Sequence, residues 1–225
     1  HRPFQEEANP EGNDLVLRAP PFAVKYVKHW ITSNVFPCIP VTVTLRSWSI
    51  FSEHRNTNPK HWQALFDACS NLPISFIILN DFHTLESPIP FKGDNIINWD
   101  APVLSLPIRS ALYDVASLNL FVSNGPMMTA FYQRTSKYLA FNILNEGRGC
   151  RESDHRKYTG LLPGAQVKGA NSFQRIVWEP ISEEVIIRET QKQLMDIAES
   201  HKLVPDFYPA EEAKLIESNF RPQQT

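Results

Sequence analysis

Cysteine is scarce in this chain and forms no pattern. Cys38, Cys69 and Cys150 include no CxxC pair, and their spacing matches neither a zinc site nor a disulfide framework. All three are read as reduced thiols, and no Asn-x-Ser/Thr glycosylation acceptor occurs, so the expected setting is cytoplasmic. No apolar run approaches the roughly 20 residues needed to cross a bilayer, and no signal-peptide-like core stands at the start. Neither sign of charge dominates: 22 Lys and Arg against 24 Asp and Glu leave a formal net charge of -2. That balance removes the electrostatic case for nucleic acid or an anionic membrane surface as partner.

Signature motifs are equally thin. The chain has no GxSxG nucleophile elbow, no GxxxxGK[ST] phosphate loop and no GxGxxG, so serine hydrolase, P-loop and dinucleotide readings lose their usual support. Its 7 histidines form no HExxH, and His54 and His61 fall on a loop and a helix without a matched acid. No structural metal and no cofactor are expected. A DxD triplet, the mark of a metal-bridged sugar nucleotide, is also missing, as are internal repeats and low-complexity tracts.

What the chain does have is alternation of strand-like and helix-like segments. Residues 22–32 carry Phe22, Tyr26, Val27 and Trp30 at helical spacing, and 39–45 are rich in β-branched residues and predict the first strand. A polar segment, 47–59, leads to a helix beginning near Pro59, with Asn58 as its N-cap. The apolar run 73–79 predicts a strand buried on both faces, as in a parallel sheet. A short strand at 95–99, a helix over 106–117, a strand at 118–122, a helix over 126–134 and a strand at 137–144 continue the series. Residues 145–173 read as a long loop with five glycines, either a functional flap or a poorly ordered stretch. The segment 182–200 predicts a helix capped by Ser182, with Glu183 and Glu184 in its first turn, and a short amphipathic piece follows at 210–216. The expected fold is α/β: a Rossmann-like three-layer sandwich with a mostly parallel sheet. Residues 1–20, polar with Pro3, Pro10 and Pro20, read as an extended leader or linker, 21–200 as the domain, and 201–225 as a C-terminal extension.

In such sheets ligands bind beyond the carboxyl ends of the strands, which directs attention to Arg46, Asn80-Asp81, Asn145 and the turn Ser123-Asn124-Gly125-Pro126. A small polar turn with glycine, running from a strand into a helix, presents free backbone N–H groups and the positive end of a helix dipole, and so can hold a phosphate. It can equally be an ordinary bend. Arg46, directly after the first strand, and Arg55, in the following loop, are suited to bidentate contact with phosphate oxygens. Their alternative is a surface salt bridge to Glu53 or Asp81. Asn80 and Asp81 can read a base or ribose hydroxyl, or simply make the turn. Phe173, Gln174, Arg175, Trp178 and Glu179 form an aromatic and polar cluster that can stack on a base and place a carboxylate on a sugar, or can close the core.

The segment Val41-Thr42-Val43-Thr44-Leu45-Arg46, the helix at 106–117, the run Leu118-Asn119-Leu120-Phe121-Val122-Ser123-Asn124-Gly125-Pro126-Met127-Met128 and the closing helix at 182–200 together resemble the carboxy-terminal donor-binding domain of GT-B glycosyltransferases. Heptosyltransferases carry a similar strand, Gly-Pro-Met turn and helix, and fucosyltransferases a similar arginine after a strand. The resemblance implies transfer of a sugar from a nucleotide-sugar donor to an unknown acceptor. The leaving diphosphate would be held by the Ser123 to Met127 amides, the dipole of the following helix, and Arg46 with or without Arg55. Fixed donors of this kind would serve without a metal. Asp81, His83 and Glu179 are the candidate general bases, with nothing to single one out. Ser123-Asn124 stands where the heptosyltransferase turn carries an acidic residue, which leaves donor specificity open. GT-B enzymes pair two Rossmann-like domains, so a second such domain outside this chain is expected. The alternative is a noncatalytic nucleotide-binding or partner-docking α/β domain.

Overall fold

Six strands build one sheet: β1 (Ile39–Thr44), β2 (Ile74–Leu79), β3 (Ile96–Asn98), β4 (Leu118–Val122), β5 (Tyr138–Phe141) and β6 (Gln174–Ile176). Their order is β3-β2-β1-β4-β5-β6, and every neighbouring pair is parallel. The structure is a computed structural model that describes residues 16–47, 53–147, 150–158 and 161–220. Around the sheet lie α1 (Pro21–Asn34), α2 (Pro59–Ala68), α3 (Ala101–Leu104), α4 (Leu106–Val115), α5 (Met127–Phe131), α6 (Glu152–Tyr158), α7 (Glu183–Glu199) and α8 (Ala210–Asn219). The three-layer, Rossmann-like α/β sandwich expected from the alternation is the fold observed.

Why the layers fall as they do follows from the period of two along each strand. Thr42 and Thr44 of β1 and Asn119 and Phe121 of β4 share one face. On that face Tyr113 of α4 stacks edge-on against Phe121, and Phe131 of α5 lies against Tyr138 of β5. The other face carries Phe141, which meets Trp62 of α2 edge-on. Helix α1 packs on α4, and α2 on α7. All residues of β1, β2, β4 and β5 are buried, whereas the edge strand β3 is not, as a parallel sheet covered on both faces requires.

Polar residues inside this core need partners, and the central pair Thr42 and Asn119 have them. Thr42 Oγ1 donates to Asn119 Oδ1 at 2.7 Å, and Asn119 Nδ2 donates to the carbonyls of Tyr113 at 2.8 Å and Lys137 at 2.9 Å. One buried amide therefore joins β1, β4, α4 and the entry to β5. Helix starts are fixed by their caps: Asn58 Oδ1 accepts from Lys60 N at 3.1 Å, and Ser182 Oγ accepts from Val185 N at 3.2 Å.

The structure departs from the sequence reading in several places. The helix expected over 126–134 stops at Phe131, and the buried Gln133 beyond it turns inward to donate to Ser110 O and Oγ. The strand expected to reach residue 144 ends at Phe141 because Asn142 takes a φ of 53°, which no strand continues. The loop 145–173 contains α6, and the cluster after it contains β6. Residues 201–220 lie against the core, burying Leu203, Tyr208, Ile216 and Phe220, and Tyr208 Oη donates to Cys38 O at 2.8 Å. Most of the expected leader, residues 1–15, lies outside the described residues.

Two measurements check this account. Asn119→Leu leaves the Thr42 hydroxyl and the Tyr113 carbonyl without their partner, at about 1–3 kcal/mol each, so urea unfolding is expected to show a loss of about 2–6 kcal/mol. The second concerns Glu189 of α7. Burial alone would raise its carboxyl, but hydrogen bonds from Arg175 and Arg188, at 2.7 and 3.0 Å, hold it below the usual range. A depressed folded value means that the stability it contributes is present above the unfolded value of about 4.3 and is lost as pH falls through the folded one. Glu189→Gln is expected to flatten the acid limb of the stability curve below about pH 4.3.

Candidate functional site

At β1 the strand order changes direction. The chain leaves β1 for β2 on one side, while β4 enters on the other after the crossover through β3, α3 and α4. Connections that diverge in this way leave a crevice at the carboxyl edge. A cleft of about 260 Å³ occupies it. The ends of β1, β2 and β4 supply its walls through Thr44 and Arg46, Asn80 and Asp81, and Asn124 to Pro126. Phe82 and His83 flank it, and Val103 and Arg109 close it from the α3–α4 side.

The cleft is cationic. Burial first, and then the neighbouring Arg55 cation, lower the proton affinity of Arg46, with Asp81 opposing. A guanidinium remains charged all the same, so the effect measures how poorly Arg46 is solvated. Its Nε is buried and has no hydrogen-bond partner, and among the described residues it forms no ion pair with Asp81 or Glu53. Asn80, 6% exposed, likewise has an unpartnered Nδ2. Two buried donors without acceptors, both on residues lining one cleft, form a site that would be completed by an acceptor from outside.

Arg55 sits behind this wall, with its Nε donating to Ser123 O at 3.1 Å. Asp81 accepts from Ser47 N at 3.0 Å and from His83 N at 3.4 Å, so its carboxylate also builds the turn. The turn after β4 is braced by Asn124, whose Nδ2 donates to Thr44 O at 3.3 Å while Oδ1 accepts from Met127 N at 3.0 Å. The Met127 amide is thus consumed internally, and α5 is five residues long, so the helix-dipole contribution expected from the sequence is short of turns. Gly125 faces open space: a Cβ there would meet nothing within 4 Å.

Several sequence candidates lie elsewhere. Gln174 is buried at the start of β6, donating to Gln133 O at 2.6 Å and Ser136 O at 2.9 Å. Glu179 pairs with Arg188 at 2.7 Å, and Trp178 Nε1 donates to Ala165 O at 2.7 Å. The aromatic and polar cluster therefore ties β6 and α7 together and does not reach the cleft. Ser123 does not line the cleft either; its Oγ lies 3.7 Å from Cys150 Sγ. Arg109 is the lining residue that sequence reasoning missed. Its Nε and Nη2 donate to the carbonyls of Pro102 and Val103 at 2.8 and 2.7 Å, within a helix, α3, that the pattern did not predict. Among the described residues no group of three or more His, Cys, Asp or Glu side chains could hold a metal ion. No helix among them is long and apolar enough to cross a membrane.

The fold and the position of its cleft define the class: a Rossmann-like α/β domain with an all-parallel six-stranded sheet and a crevice where the strand order reverses. A solved structure described as glycosyl transferase family 9, from Veillonella parvula DSM 2008, is similar with a TM-score of 0.55 and 13% identity. The match covers 80% of this chain and 54% of that one, so this chain spans about half the length of that protein. At 13% identity the likeness is one of fold. No protein-family model matches this chain, and no curated protein matches it in sequence.

Asn80→Leu separates binding from folding. It removes a buried donor that has no partner, so the variant is expected to keep its unfolding free energy within about 1 kcal/mol of wild type or to exceed it. A larger loss in urea melts would show that the amide supports the fold.

Proposed function

We propose that this chain is the donor-binding half of a GT-B-like glycosyltransferase, holding a nucleotide-sugar by its diphosphate for transfer of the sugar to an acceptor. The observation that carries the reading is the pair of unpartnered buried donors, Arg46 Nε and Asn80 Nδ2, at the crevice where the strand order reverses. Arg46, with Arg55 and Arg109 beside it, supplies the positive charge that a leaving diphosphate needs, and the donors are fixed before the ligand arrives. Charge neutralisation in this scheme comes from guanidinium groups without recruiting a metal. A cleft of about 260 Å³ is slightly smaller than the ~300–1,000 Å³ of ordinary small-molecule sites, so it suits the diphosphate while the sugar and nucleoside extend outward.

In the transfer itself the acceptor oxygen forms a bond to the anomeric carbon, the bond from that carbon to the diphosphate oxygen breaks, and the acceptor proton passes to a base. Asp81 and His83 line the cleft and are this chain's candidates for the base; Glu179 is not, because it is paired with Arg188 outside the cleft. The commitment of Asp81 to two backbone amides favours a second reading, in which this chain binds the nucleotide and the base belongs to a second Rossmann-like domain. The donor type, heptosyltransferase-like or fucosyltransferase-like, belongs to the same proposal, as does a cytoplasmic setting.

Titration calorimetry with UDP-, GDP- and ADP-sugars tests the reading. Arg46→Ala is expected to weaken a nucleoside diphosphate by about 10- to 100-fold, the worth of one or two charge-assisted hydrogen bonds, and the bare nucleoside hardly at all. Equal loss for both ligands would show that Arg46 does not read phosphate. Gly125→Val, projecting into open space at the cleft wall, is expected to abolish binding with an unchanged melting temperature. Unaltered affinity would remove the turn after β4 from the site.

A further inference from the structure

The opposite, amino-terminal edge of the sheet holds a larger cavity, about 610 Å³, that the proposed function does not use. Its floor is Ser117 and Lys137, the residues immediately before β4 and β5, and Phe173, immediately before β6. Its rim is the segment after α7, including Lys202 and Phe207, together with Lys28 of α1.

Three features of this cavity point to a ligand. Ser117 is 1% exposed, and its Oγ is buried with no hydrogen-bond partner. Lys137 is half-buried beside it, and among the described residues neither Lys137 nor Lys202 forms a salt bridge. Burial first, and then the neighbouring Lys202 cation, hold the Lys137 ammonium below the usual lysine range, against the pull of Asp114 and Asp206. The cavity's two carboxylates are already engaged: Asp114 accepts from Thr135 Oγ1, and Asp206 is paired with Lys28 at 3.3 Å. Lys202 lies over the Phe173 ring, with its ammonium 5.5 Å from the ring centroid. Lys28, Arg134, Lys137 and Lys202 against Asp114 and Asp206 leave an excess of two positive charges, leaving His201 out of the count.

We infer that this cavity is a second ligand site, for a phosphate group presented by a small molecule, with the Ser117 hydroxyl and the Lys137 and Lys202 ammonium groups as its donors. A phosphate offers several strong acceptor oxygens, so one group can accept from the hydroxyl and both ammonium groups together. It also relieves the mutual repulsion of the two cations. The rings of Phe173 and Phe207 line the same cavity and suit the organic part of a phosphate ester. The site lies at the other end of β4 from Arg46, which makes it independent of the donor cleft.

The experiment is thermal unfolding in the Arg46→Ala background, where the carboxyl-edge cleft is disabled, with inorganic phosphate or phenyl phosphate compared against sodium chloride at equal ionic strength. A ligand of the native state raises the melting temperature as its concentration passes Kd. Both phosphates are expected to raise it beyond the chloride control, and Lys137→Met, Lys202→Met and Ser117→Ala are each expected to weaken the effect at least about 5-fold in midpoint concentration. Without ligand, Lys137→Met is expected to melt at the same temperature or higher, because it removes a poorly solvated cation, so loss of the response is not loss of fold. Tighter binding of phenyl phosphate supports the inference with an ester as the ligand, and equal binding supports it with free phosphate. No rise beyond the chloride control, or a rise that survives all three substitutions, overturns it.

Discussion

Burial of β1 on both faces is the constraint on which the rest depends. A strand hidden from water above and below can be joined to parallel neighbours only by crossovers that pass over the faces, and those crossovers supply the helices that do the hiding. Because β2 and β4 flank β1, the crossovers to its two sides part company at its carboxyl end. The cleft is a by-product of that parting. Arg46 stands at it because it is two residues beyond the last paired residue of β1, where the chain has left the ladder but has not yet reached solvent.

The same constraint explains the polar braces. Thr42, Thr44 and Asn119 occupy positions where an ordinary parallel strand carries Val or Ile, and each is fully paired within the core. Tyr113 shows the depth of this region: burial pushes its hydroxyl up to about 12, although Thr44 hydrogen-bonds it at 2.9 Å. The contrast with Arg46 and Asn80 is physical. Thr42, Thr44 and Asn119 in the middle of the strands are paired, while Arg46 Nε and Asn80 Nδ2 at the carboxyl edge are not, and an incoming acceptor restores what those two donors lose on burial.

Much of the architecture was legible because strong local rules agreed with the tertiary outcome. The β-branched run of β1, the continuous apolar run of β2, the Asn58-Pro59 start of α2 and the Ser182 cap of α7 all mark elements that form as read. Two of the misses share a cause: α3 and β6 have four and three residues, too short for any period to show. Arg109 was invisible for the same reason, since its place in the cleft depends on α3. Gln174 and Glu179 were misread because sequence gives proximity along the chain and not the partner: one satisfies the carbonyls of the turn before β5, the other an arginine on α7. The residues at the ends of β1 and β2 were easier, because the edge rule for parallel sheets identifies them from strand boundaries alone.

Asn124 carries a liability that follows from the brace it makes. An asparagine followed by glycine is the arrangement most open to attack of the next backbone nitrogen on the side-chain amide, which closes a succinimide, releases ammonia and opens to aspartate or isoaspartate. Here the amide is 4% exposed and pinned at both ends, to Thr44 O and to Met127 N, so it is not free to rotate into the attacking geometry. Chemical ageing at this position is therefore gated by opening of the turn. Once it occurs it converts the donor facing Thr44 O into an acceptor and sets a negative charge beside Arg46, and the lifetime of the cleft becomes a record of how often the end of β4 lets go.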